Sequence, residues 1–211
     1  MAPYGPADFA AEFGVSRETM ARLEAFDASL LDWSGRHNLI ARSTLEDRWD
    51  RHFRDSAQLY RLIPPDARRL VDLGSGAGFP GLVLAAMGAP RLEVTLVESI
   101  GKKAAFLTAA AAAMGLSAVR VIPARIESLK VRTPDVITAR ALAPLSTLCG
   151  YAVEIGGEKT LCIFPKGQDV EAELTEASKY WHMMVERRAS LTSPGSTVLL
   201  ITGLRPKRPR P

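Results

Sequence analysis

Apolar residues recur every three or four positions in the first third of the chain. The first stripe of this kind consists of Leu23, Phe26, Leu30 and Trp33. Such spacing places the apolar side chains on one face, so it predicts an amphipathic helix that begins near Ser16 and ends at about Trp33.

A second stripe follows between residues 43 and 64. Its members are Leu45, Trp49, His52, Phe53 and Leu59. Ser43 suits an N-cap because Glu46 follows three residues later, as in a capping box, and Pro64 with Pro65 ends the pattern. Residues 1–65 are therefore predicted to form an N-terminal helical cap.

After residue 65 the pattern changes to short β-type runs that alternate with helical stretches. Strands are predicted at residues 69–73, 92–97, 118–122, 134–139 and 159–164, and helices at 80–87, 102–114, 144–153 and 169–179. Two further strands, in HMMVERRASL and STVLLITGL, are joined by a turn at residues 193–195. This alternation is typical of βαβ units, so residues 66–203 are predicted to form an α/β domain around a mostly parallel seven-stranded sheet.

Composition agrees with one domain plus an extension. The chain has 211 residues, of which 47% are hydrophobic, enough for one large core and too few for two domains of ordinary size. The last seven residues, RPKRPRP, carry four positive charges, which account for the whole formal net charge of +4. Residues 204–211 are predicted to be a disordered basic tail that solubilises the chain or touches phosphates without specificity.

Cysteine usage and the lengths of the apolar runs narrow the class of protein. Cys149 and Cys162 have no CxxC partner and no histidine cluster nearby, so neither a disulfide framework nor a metal site is indicated. The first residues lack the basic and apolar regions of a signal peptide, and no apolar run approaches the ~20 residues that span a bilayer. We expect a soluble, cytoplasmic, metal-free protein that does not bind membranes.

The stretch LVDLGSGAGFPG, residues 70–81, places Gly74, Gly76 and Gly78 in the loop after the first predicted strand. In an open parallel sheet, ligands bind at this edge. The dinucleotide fingerprint G-x-G-x-x-G is not matched, because Gly78 arrives one residue early and Pro80 has no N–H to offer a pyrophosphate. S-adenosylmethionine, a nucleoside with an amino-acid end and no phosphate, fits better. We expect a β-branched residue at Gly74 or Gly78 to abolish its binding and to leave the fold largely intact.

Glu98 ends the second predicted strand, in LEVTLVES. Its two carboxylate oxygens could accept hydrogen bonds from both ribose hydroxyls. A nicotinamide cofactor would use such an acid too, so Glu98 indicates a nucleoside without identifying it. A solvated acid at the end of a strand is the remaining alternative.

Five segments, DLGSGAGFPG, VESIGKKAAFL, RIES, ITARALAPL and FPKG, in this order and spacing resemble the bacterial small-subunit ribosomal RNA guanine-N7 methyltransferases, the RsmG/GidB family. The resemblance runs from about Trp33 to Gly203. It implies a class I S-adenosylmethionine-dependent methyltransferase with a Rossmann-like sheet. The implied substrate is N7 of a guanine in the 530 loop of 16S rRNA, as free RNA or within the 30S particle, and we expect a monomer. The chain departs from the family pattern at Ser75, where threonine is usual, and in its tail.

The resemblance also implies which residues bind ligands. Those implied at the cofactor are Gly74, Ser75, Gly76, Gly78, Phe79, Glu98, Ser99, Ile126, Glu127 and Arg140. Gly74 and Phe79 would lie at the methionine side, Glu98 at the ribose, and Ile126 with Glu127 at the adenine. Those implied at the RNA are Asn38, His52, Arg140 and Lys166.

The sequence gives additional information about two of these residues, His52 and Lys166. His52 shares the segment RHFRDS with Asp55, but it also lies on the apolar stripe of its helix, so core packing stays an alternative for it. Lys166 follows the fifth predicted strand, at the edge of the sheet where ligands bind.

The acceptor chemistry agrees with a mechanism that needs no catalytic base. The loop ARALAP, after the fourth predicted strand, has neither the Asn/Asp-Pro-Pro-aromatic pattern of amine methylases nor a nucleophilic cysteine, and we expect Cys149 and Cys162 to be buried and inert. The N7 atom of guanine carries an unprotonated lone pair at neutral pH, so alignment is the main requirement. Arg140 and Lys166 are therefore candidates for positioning the base.

Two other functions stay open. A class I methyltransferase with a small-molecule or protein acceptor would keep the glycine loop and use the helical cap as a lid. A nicotinamide-dependent oxidoreductase is disfavoured by Pro80 and the early third glycine. RNA is favoured because the cap is locally basic, with three acidic residues between positions 36 and 54 against the arginines Arg36, Arg42, Arg48, Arg51 and Arg54.

Overall fold

The N-terminal cap begins with two helices, α1 (Pro6–Phe13) and α2 (Arg17–Ser34). The computed structural model describes residues 4–207, and residues 1–3 and 208–211 lie outside this range. The prediction of α2 is confirmed, and the amide of Thr19 donates to Ser16 Oγ at 3.2 Å as the N-cap requires. The apolar pattern does not predict α1. The only buried residue of this short helix is Phe9, and one apolar position does not make a recognisable stripe.

The second predicted cap helix differs in its start. Ser43 lies in a short 3₁₀ turn and caps no helix. The helical segment instead begins as a π turn, continues through one α turn and ends as a 3₁₀ turn, and these three parts are Trp49–Arg54, α3 (Asp55–Ala57) and Gln58–Leu62. Arg48 explains the late start, because its Nη1 donates to the Leu45 carbonyl at 2.8 Å and its Nε and Nη2 bind Asp27 of α2.

The prediction of a mostly parallel seven-stranded sheet is confirmed. The strands are β1 (Arg69–Leu73), β2 (Glu93–Val97), β3 (Val119–Ile122), β4 (Val136–Ala139), β5 (Leu161–Lys166), β6 (Trp181–Ala189) and β7 (Thr197–Pro206). Their order is β3-β2-β1-β4-β5-β7-β6, and β7 runs antiparallel to both of its neighbours. Leu73 lies opposite both Val97 and Ala139, so the loops that follow β1, β2 and β4 meet at one edge.

Helices cover both faces of the sheet. They are α4 (Gly81–Gly88), α5 (Gly101–Ala113), α6 (Leu145–Ile155) and α7 (Val170–Ser178). Helices α4 and α5 share one core with the cap, and α6 and α7 form the other. Phe26 of the cap lies in the first core, with ring centroids 5.2 Å from Phe53 and 4.9 Å from Phe79. The cap is therefore part of the core of the sheet domain.

The predicted tail begins inside β7. Arg205 and Pro206 lie opposite His182 and Trp181 of β6, and the amide of Lys207 donates to the Tyr180 carbonyl at 2.8 Å. The prediction of disorder from residue 204 is therefore wrong for residues 204–206, because β6 is long enough to pair with them. The last four residues of the predicted tail, 208–211, lie outside the described range.

Gly78 marks a position where the core excludes a side chain. Its φ is +88°, and a Cβ there would lie 2.6 Å from Leu82 Cδ1 and 3.0 Å from Phe26 Cζ. The expectation that a side chain at Gly78 spares the fold is therefore wrong. Gly78→Ala should lower the free energy of unfolding by about 2–4 kcal/mol, the combined cost of a left-handed backbone and an overpacked core. Urea denaturation measures this loss.

Gly115→Ala is the matched control. Gly115 has a φ of +64°, and nothing lies within 4 Å of an added Cβ. Only the backbone cost of about 1–2 kcal/mol is expected there. Equal losses in the two variants would contradict the packing argument.

Candidate active site

The glycine loop joins β1 to α4 and bends across the ends of β1 and β2. Gly74 and Gly76 have φ angles of +64° and +55°, which glycine adopts at little cost. Ser75 anchors the loop from below, because its amide donates to the Val97 carbonyl and its hydroxyl to the Asp72 carbonyl, both at 3.0 Å. The backbone of the two glycines thereby faces the open edge of the sheet.

Asp72 supports the same loop from within the core. Its side chain is fully buried, and Thr138 Oγ1 of β4 donates to its Oδ1 at 2.7 Å. Burial raises the pKa of the Asp72 carboxyl to about 6. This acid links β1 to β4 directly below the glycines, a role that the sequence pattern does not reveal because it is one polar residue in an apolar strand.

Glu98 lies where the pattern predicts, at the end of β2, and it is 6% exposed. Its Oε2 accepts from the amide of Gly76 at 2.9 Å, and its Oε1 accepts from the amide of Ile100 at 2.8 Å. A carboxylate has about four acceptor positions, so each oxygen keeps one for a ligand hydroxyl. Glu98 therefore shapes the glycine loop as well as offering two acceptors.

The loops after β1 to β4 enclose a cleft of about 400 Å³, here called the glycine-loop cleft. The predicted cofactor residues that line it are Gly74, Gly76, Glu98, Ser99, Ile126 and Glu127. Ile100, which is 51% exposed, also lines it. Tyr151 joins the lining from α6, and its hydroxyl donates to Glu127 at 3.0 Å. A nucleoside fits this set, with the carboxylate for hydroxyls and the isoleucines for a base.

The remaining predicted cofactor residues do not line this cleft. Ser75 is 1% exposed and Phe79 is 4% exposed, and Gly78 packs against Leu82 and Phe26. These three residues pack on the core side of the loop and support it there. Arg140 lines the neighbouring cleft instead.

That neighbouring cleft, here called the wide cleft, has a volume of about 920 Å³. It lies between the cap, the loop after β4 and the loop that joins β6 to β7. Of the residues predicted at the RNA, His52, Arg140 and Lys166 line it. Asn38 is exposed on the segment after α2 and is not part of this lining.

Arg140 connects the walls of the wide cleft. Its Nη1 donates to Asp55 Oδ2 at 3.1 Å, its Nη2 lies 3.3 Å from His52 Nδ1, and its guanidinium lies 5.4 Å from the centre of the Phe79 ring. The other oxygen of Asp55 accepts from Thr192 Oγ1 at 2.7 Å and from Gln58 Nε2 at 2.9 Å. The cap, the loop after β4 and the hairpin loop are thus joined through one carboxylate.

Gln58 strengthens the same junction. Its side chain is buried, and its Oε1 accepts from the amide of Leu191 in the hairpin loop at 2.8 Å. Sequence reasoning missed Gln58 and Thr192, which lie 134 positions apart in numbering. The only available signal was the short spacing between His52, Asp55 and Gln58 on one helical segment.

His52 is half-buried in the wall of the wide cleft. Its ring stacks on Phe79 with centroids 5.1 Å apart, and its Nε2 lies 3.0 Å from Thr44 Oγ1. Burial, followed by the charge of Arg140, lowers the pKa of His52 to about 4, so the ring is neutral at physiological pH. His52 therefore both packs and faces the cleft.

Lys166 braces the loop after β4. Its Nζ donates to the Ala143 carbonyl at 3.0 Å and to Glu173 Oε2 at 2.6 Å, and the amide of Leu145 donates to the same oxygen. The Lys166 side chain is 9% exposed. Its ammonium is thus held by its neighbours beside the cleft.

Ala141 and Leu142 separate the two clefts, because both residues line each of them. Ala141 has a φ of +51°, which is strained for a residue with a side chain. Leu142 lies over the glycine loop, with its Cδ1 only 2.5 Å from where a Cβ of Gly74 would be. Gly74 therefore combines a left-handed backbone, which favours glycine, with a close approach by Leu142 that sequence reasoning did not foresee.

Neither cysteine reaches a cleft wall as a reactive thiol. Cys149 and Cys162 are 0% and 1% exposed, and burial raises the pKa of the Cys149 thiol to about 12 and also raises that of Cys162. Within residues 4–207, no cluster of three His, Cys, Asp or Glu side chains could hold a metal ion. Over the same range, none of the helices combines the length and the apolar content that a membrane span needs.

Solved structures that are distant in sequence share this fold. A SAM dependent methyltransferase from Aquifex aeolicus is 13% identical with a TM-score of 0.59, and the match covers 83% of this chain and 97% of that one. An O-methyltransferase from Bacillus cereus in complex with SAH is 12% identical with a TM-score of 0.57, covering 84% and 90%. The chain has the class I methyltransferase fold.

Closer relatives share the sequence. Residues 19–198 match the model of the GidB family, described as rRNA small subunit methyltransferase G. Proteins named ribosomal RNA small subunit methyltransferase G from Rhodospirillum centenum and Paramagnetospirillum magneticum are each 50% identical, over 95% and 92% of this chain and 91% and 94% of theirs. Because the family model and these relatives span most of its length, the chain belongs to the GidB family of S-adenosylmethionine-dependent small-subunit rRNA methyltransferases.

Proposed function

We propose that this protein transfers a methyl group from S-adenosylmethionine to N7 of a guanine in the 530 loop of 16S rRNA. The observation that carries the proposal is a pair of adjacent clefts at the carboxyl ends of the strands. The two linings share Ala141 and Leu142. One cleft offers groups for a nucleoside, and the other is wide enough for a nucleotide. Family membership supports the class of RNA, and the chemistry of the wide-cleft lining supports the choice of acceptor atom.

The glycine-loop cleft holds the methyl donor. Bound S-adenosylmethionine supplies an electrophilic methyl group. Glu98 binds the ribose hydroxyls with its two remaining acceptor positions, and Ile100 with Ile126 contacts the adenine. The backbone of Gly74 lies beside the dividing residue Leu142, so it receives the methionine end next to the wide cleft.

Three ionisable side chains of the wide cleft, His52, Asp55 and Lys166, are poorly suited to deprotonating an acceptor. His52 has a pKa near 4 and is a weak base at neutral pH, both oxygens of Asp55 already accept hydrogen bonds, and Lys166 is ion-paired with Glu173. An exocyclic amine or a thiolate acceptor would need a proton removed. The N7 lone pair of guanine needs no such step, so this lining favours N7.

Charge balance at the same cleft suits the reaction. Methyl transfer from a sulfonium moves positive charge onto the purine, and a net cation beside the base would oppose it. The Arg140 guanidinium is paired with Asp55 at 3.1 Å, and His52 is neutral. Arg140 can therefore donate to guanine O6 from a locally balanced site and orient the base for attack.

The rim of the wide cleft favours RNA over a small molecule or a protein as acceptor. Hydroxyl side chains line it from the cap and the hairpin, namely Thr44, Ser190, Thr192, Ser193, Ser196 and Thr197. Hydroxyls and arginines are common phosphate contacts, and Arg51 is exposed on the cap side. We expect a cytoplasmic monomer that acts on the free rRNA or on the 30S particle.

Glu98→Gln tests the cofactor site. A Gln side chain must turn its NH₂ towards the amide of Gly76 or of Ile100, so both the loop and the ribose contacts weaken. We expect at least about tenfold weaker S-adenosylhomocysteine binding and a stability loss of about 1–3 kcal/mol. Calorimetric titration and urea denaturation measure the two effects.

The control for this variant is Glu93→Gln, an exposed change at the other end of β2 that should leave both quantities unchanged. Tighter binding of NADH than of S-adenosylhomocysteine by the native protein would refute the cofactor assignment.

Arg140→Ala separates cofactor binding from alignment of the base. Arg140 lines the wide cleft and does not line the glycine-loop cleft, so the variant should keep its affinity for S-adenosylhomocysteine. Single-turnover methylation should fall by about 10²-fold or more through lost alignment. Arg42→Ala, which removes an exposed cap arginine, should leave this rate nearly unchanged. A variant at Arg140 that loses mainly cofactor affinity would place this residue at the cofactor after all.

The acceptor atom has a direct chemical test. RNA methylated by the protein with tritiated S-adenosylmethionine, as naked 16S rRNA and as 30S particles, should be cleaved at one 530-loop guanine by borohydride and aniline, because N7 methylation makes the imidazole ring reducible. Single-turnover rates should be nearly flat between about pH 6.5 and 8.5, since no group is deprotonated. His52, with its pKa near 4, does not titrate in that window.

Cell protein incubated in parallel is the control for the alternative acceptors. Methylated RNA that resists this cleavage, or a rate that climbs with pH, would exclude N7. Label that enters protein in place of RNA would support the protein acceptor.

A further inference from the structure

A basic groove lies at the opposite end of the strands from the two clefts. It has a volume of about 490 Å³ and is formed where β1, β2 and β3 begin, together with the segment that precedes β4. Its basic side chains are Arg69, Arg120, Lys130 and Arg132, and the one acidic residue in its lining is Glu93. We call it the amino-edge groove. Its charge is strongly positive for a protein whose body is close to neutral.

Three cations of this groove, Arg120, Lys130 and Arg132, differ from the ion-paired arginines of the cap and of the β6 edge. On the cap, Arg54 binds Glu12, and at the β6 edge Arg187 binds Glu171. Arg120, Lys130 and Arg132 are all exposed, and within residues 4–207 none of their side chains has an ion pair or a hydrogen bond. Their charges are therefore available to an external anion.

Hydroxyl groups in the groove can also donate hydrogen bonds to an anion. Thr95 and Ser117 line it with hydroxyls. Arg69 is only loosely paired, with its Nη2 3.7 Å from Asp135 Oδ1. Asp135 accepts the amides of Arg68 and Arg69 at 2.8 Å through its Oδ2, and it is not part of the groove lining. Guanidinium, ammonium and hydroxyl groups together are the usual set for nucleic-acid phosphates.

We infer that the amino-edge groove binds the phosphate backbone of a second segment of the rRNA substrate. This inference rests on the proposed function for its choice of polyanion. β1 and β2 each contain five residues, so the groove and the glycine loop lie roughly 15 Å apart along the strands. A folded RNA spans that distance easily, whereas the target nucleotide alone does not. The groove contributes affinity and leaves the chemistry at the other edge untouched.

A triple variant, Arg120→Gln with Lys130→Gln and Arg132→Gln, tests the groove. The matched control is Lys179→Gln with Arg187→Gln and Arg188→Gln. It removes the same charge near the outer strand β6, where each cation already has an acidic partner. Both variants are titrated with naked 16S rRNA over a range of salt concentrations. Steady-state methylation and S-adenosylhomocysteine binding are measured alongside.

The groove variant should lose at least about tenfold in rRNA affinity, and its slope of log affinity against log salt should flatten by about two to three. Its KM for the RNA should rise by at least about tenfold, with kcat and S-adenosylhomocysteine affinity within about twofold of the parent. The control variant should stay within about threefold of the parent in every quantity.

Equal losses in the two variants would overturn the inference, because they would show general charge attraction. A defect confined to 30S particles, with naked rRNA bound normally, would also overturn it and assign the groove to an acidic ribosomal protein. The binding measurement stays decisive even if the parent methylates an atom other than N7, so failure here is distinguishable from failure of the proposed function.

Discussion

The contact between Phe79 of the glycine loop and the aromatic side chains of the cap is the constraint on which the active site depends. The Phe79 ring lies 4.9 Å from that of Phe26, 5.2 Å from that of Phe53 and 5.1 Å from that of His52. Buried rings of this size remove a large apolar area from water and pack in few geometries. The cap and the loop that receives the cofactor therefore have one relative position, and Gly78 makes room for it.

The polar junction above this aromatic cluster converts that position into the shape of the wide cleft. Asp55 is placed by the cap and holds Arg140, Thr192 and Gln58, which belong to three separate parts of the chain. Hydrogen bonds to a charged group contribute about 1.5–3 kcal/mol each, and a buried carboxylate without them would be costly. The Asp55 carboxylate also balances the charge of the Arg140 guanidinium in the wide cleft. One carboxylate thus serves both rigidity and charge balance.

The near-zero charge of the protein body conceals an uneven distribution. At the carboxyl edge of the sheet, Arg140 and Lys166 are matched by Asp55 and Glu173, which suits a reaction that moves positive charge onto a base. At the amino edge, the side chains of Arg120, Lys130 and Arg132 lack such partners within residues 4–207. In the proposed function, separating the two edges lets attraction of phosphates coexist with a balanced site, because screening confines the influence of exposed charges to about 10 Å.

The sequence by itself determined the alternation of strands and helices along the chain, the glycine loop and the acid at the end of β2, because parallel strands carry their ligand-binding loops at one edge whatever packs around them. Three residues that the resemblance implied at the RNA, His52, Arg140 and Lys166, line one cleft in the structure. The sequence did not predict the late start of the second cap helix or the pairing of residues 204–206, since side chains and strands distant in sequence decide both. Only the tertiary structure brought Leu142 over Gly74, and Leu82 with Phe26 against Gly78. Only the tertiary structure joined Asp55 to Arg140 and Thr192, because a contact between residues so far apart depends on how the cap, the sheet and the hairpin pack together.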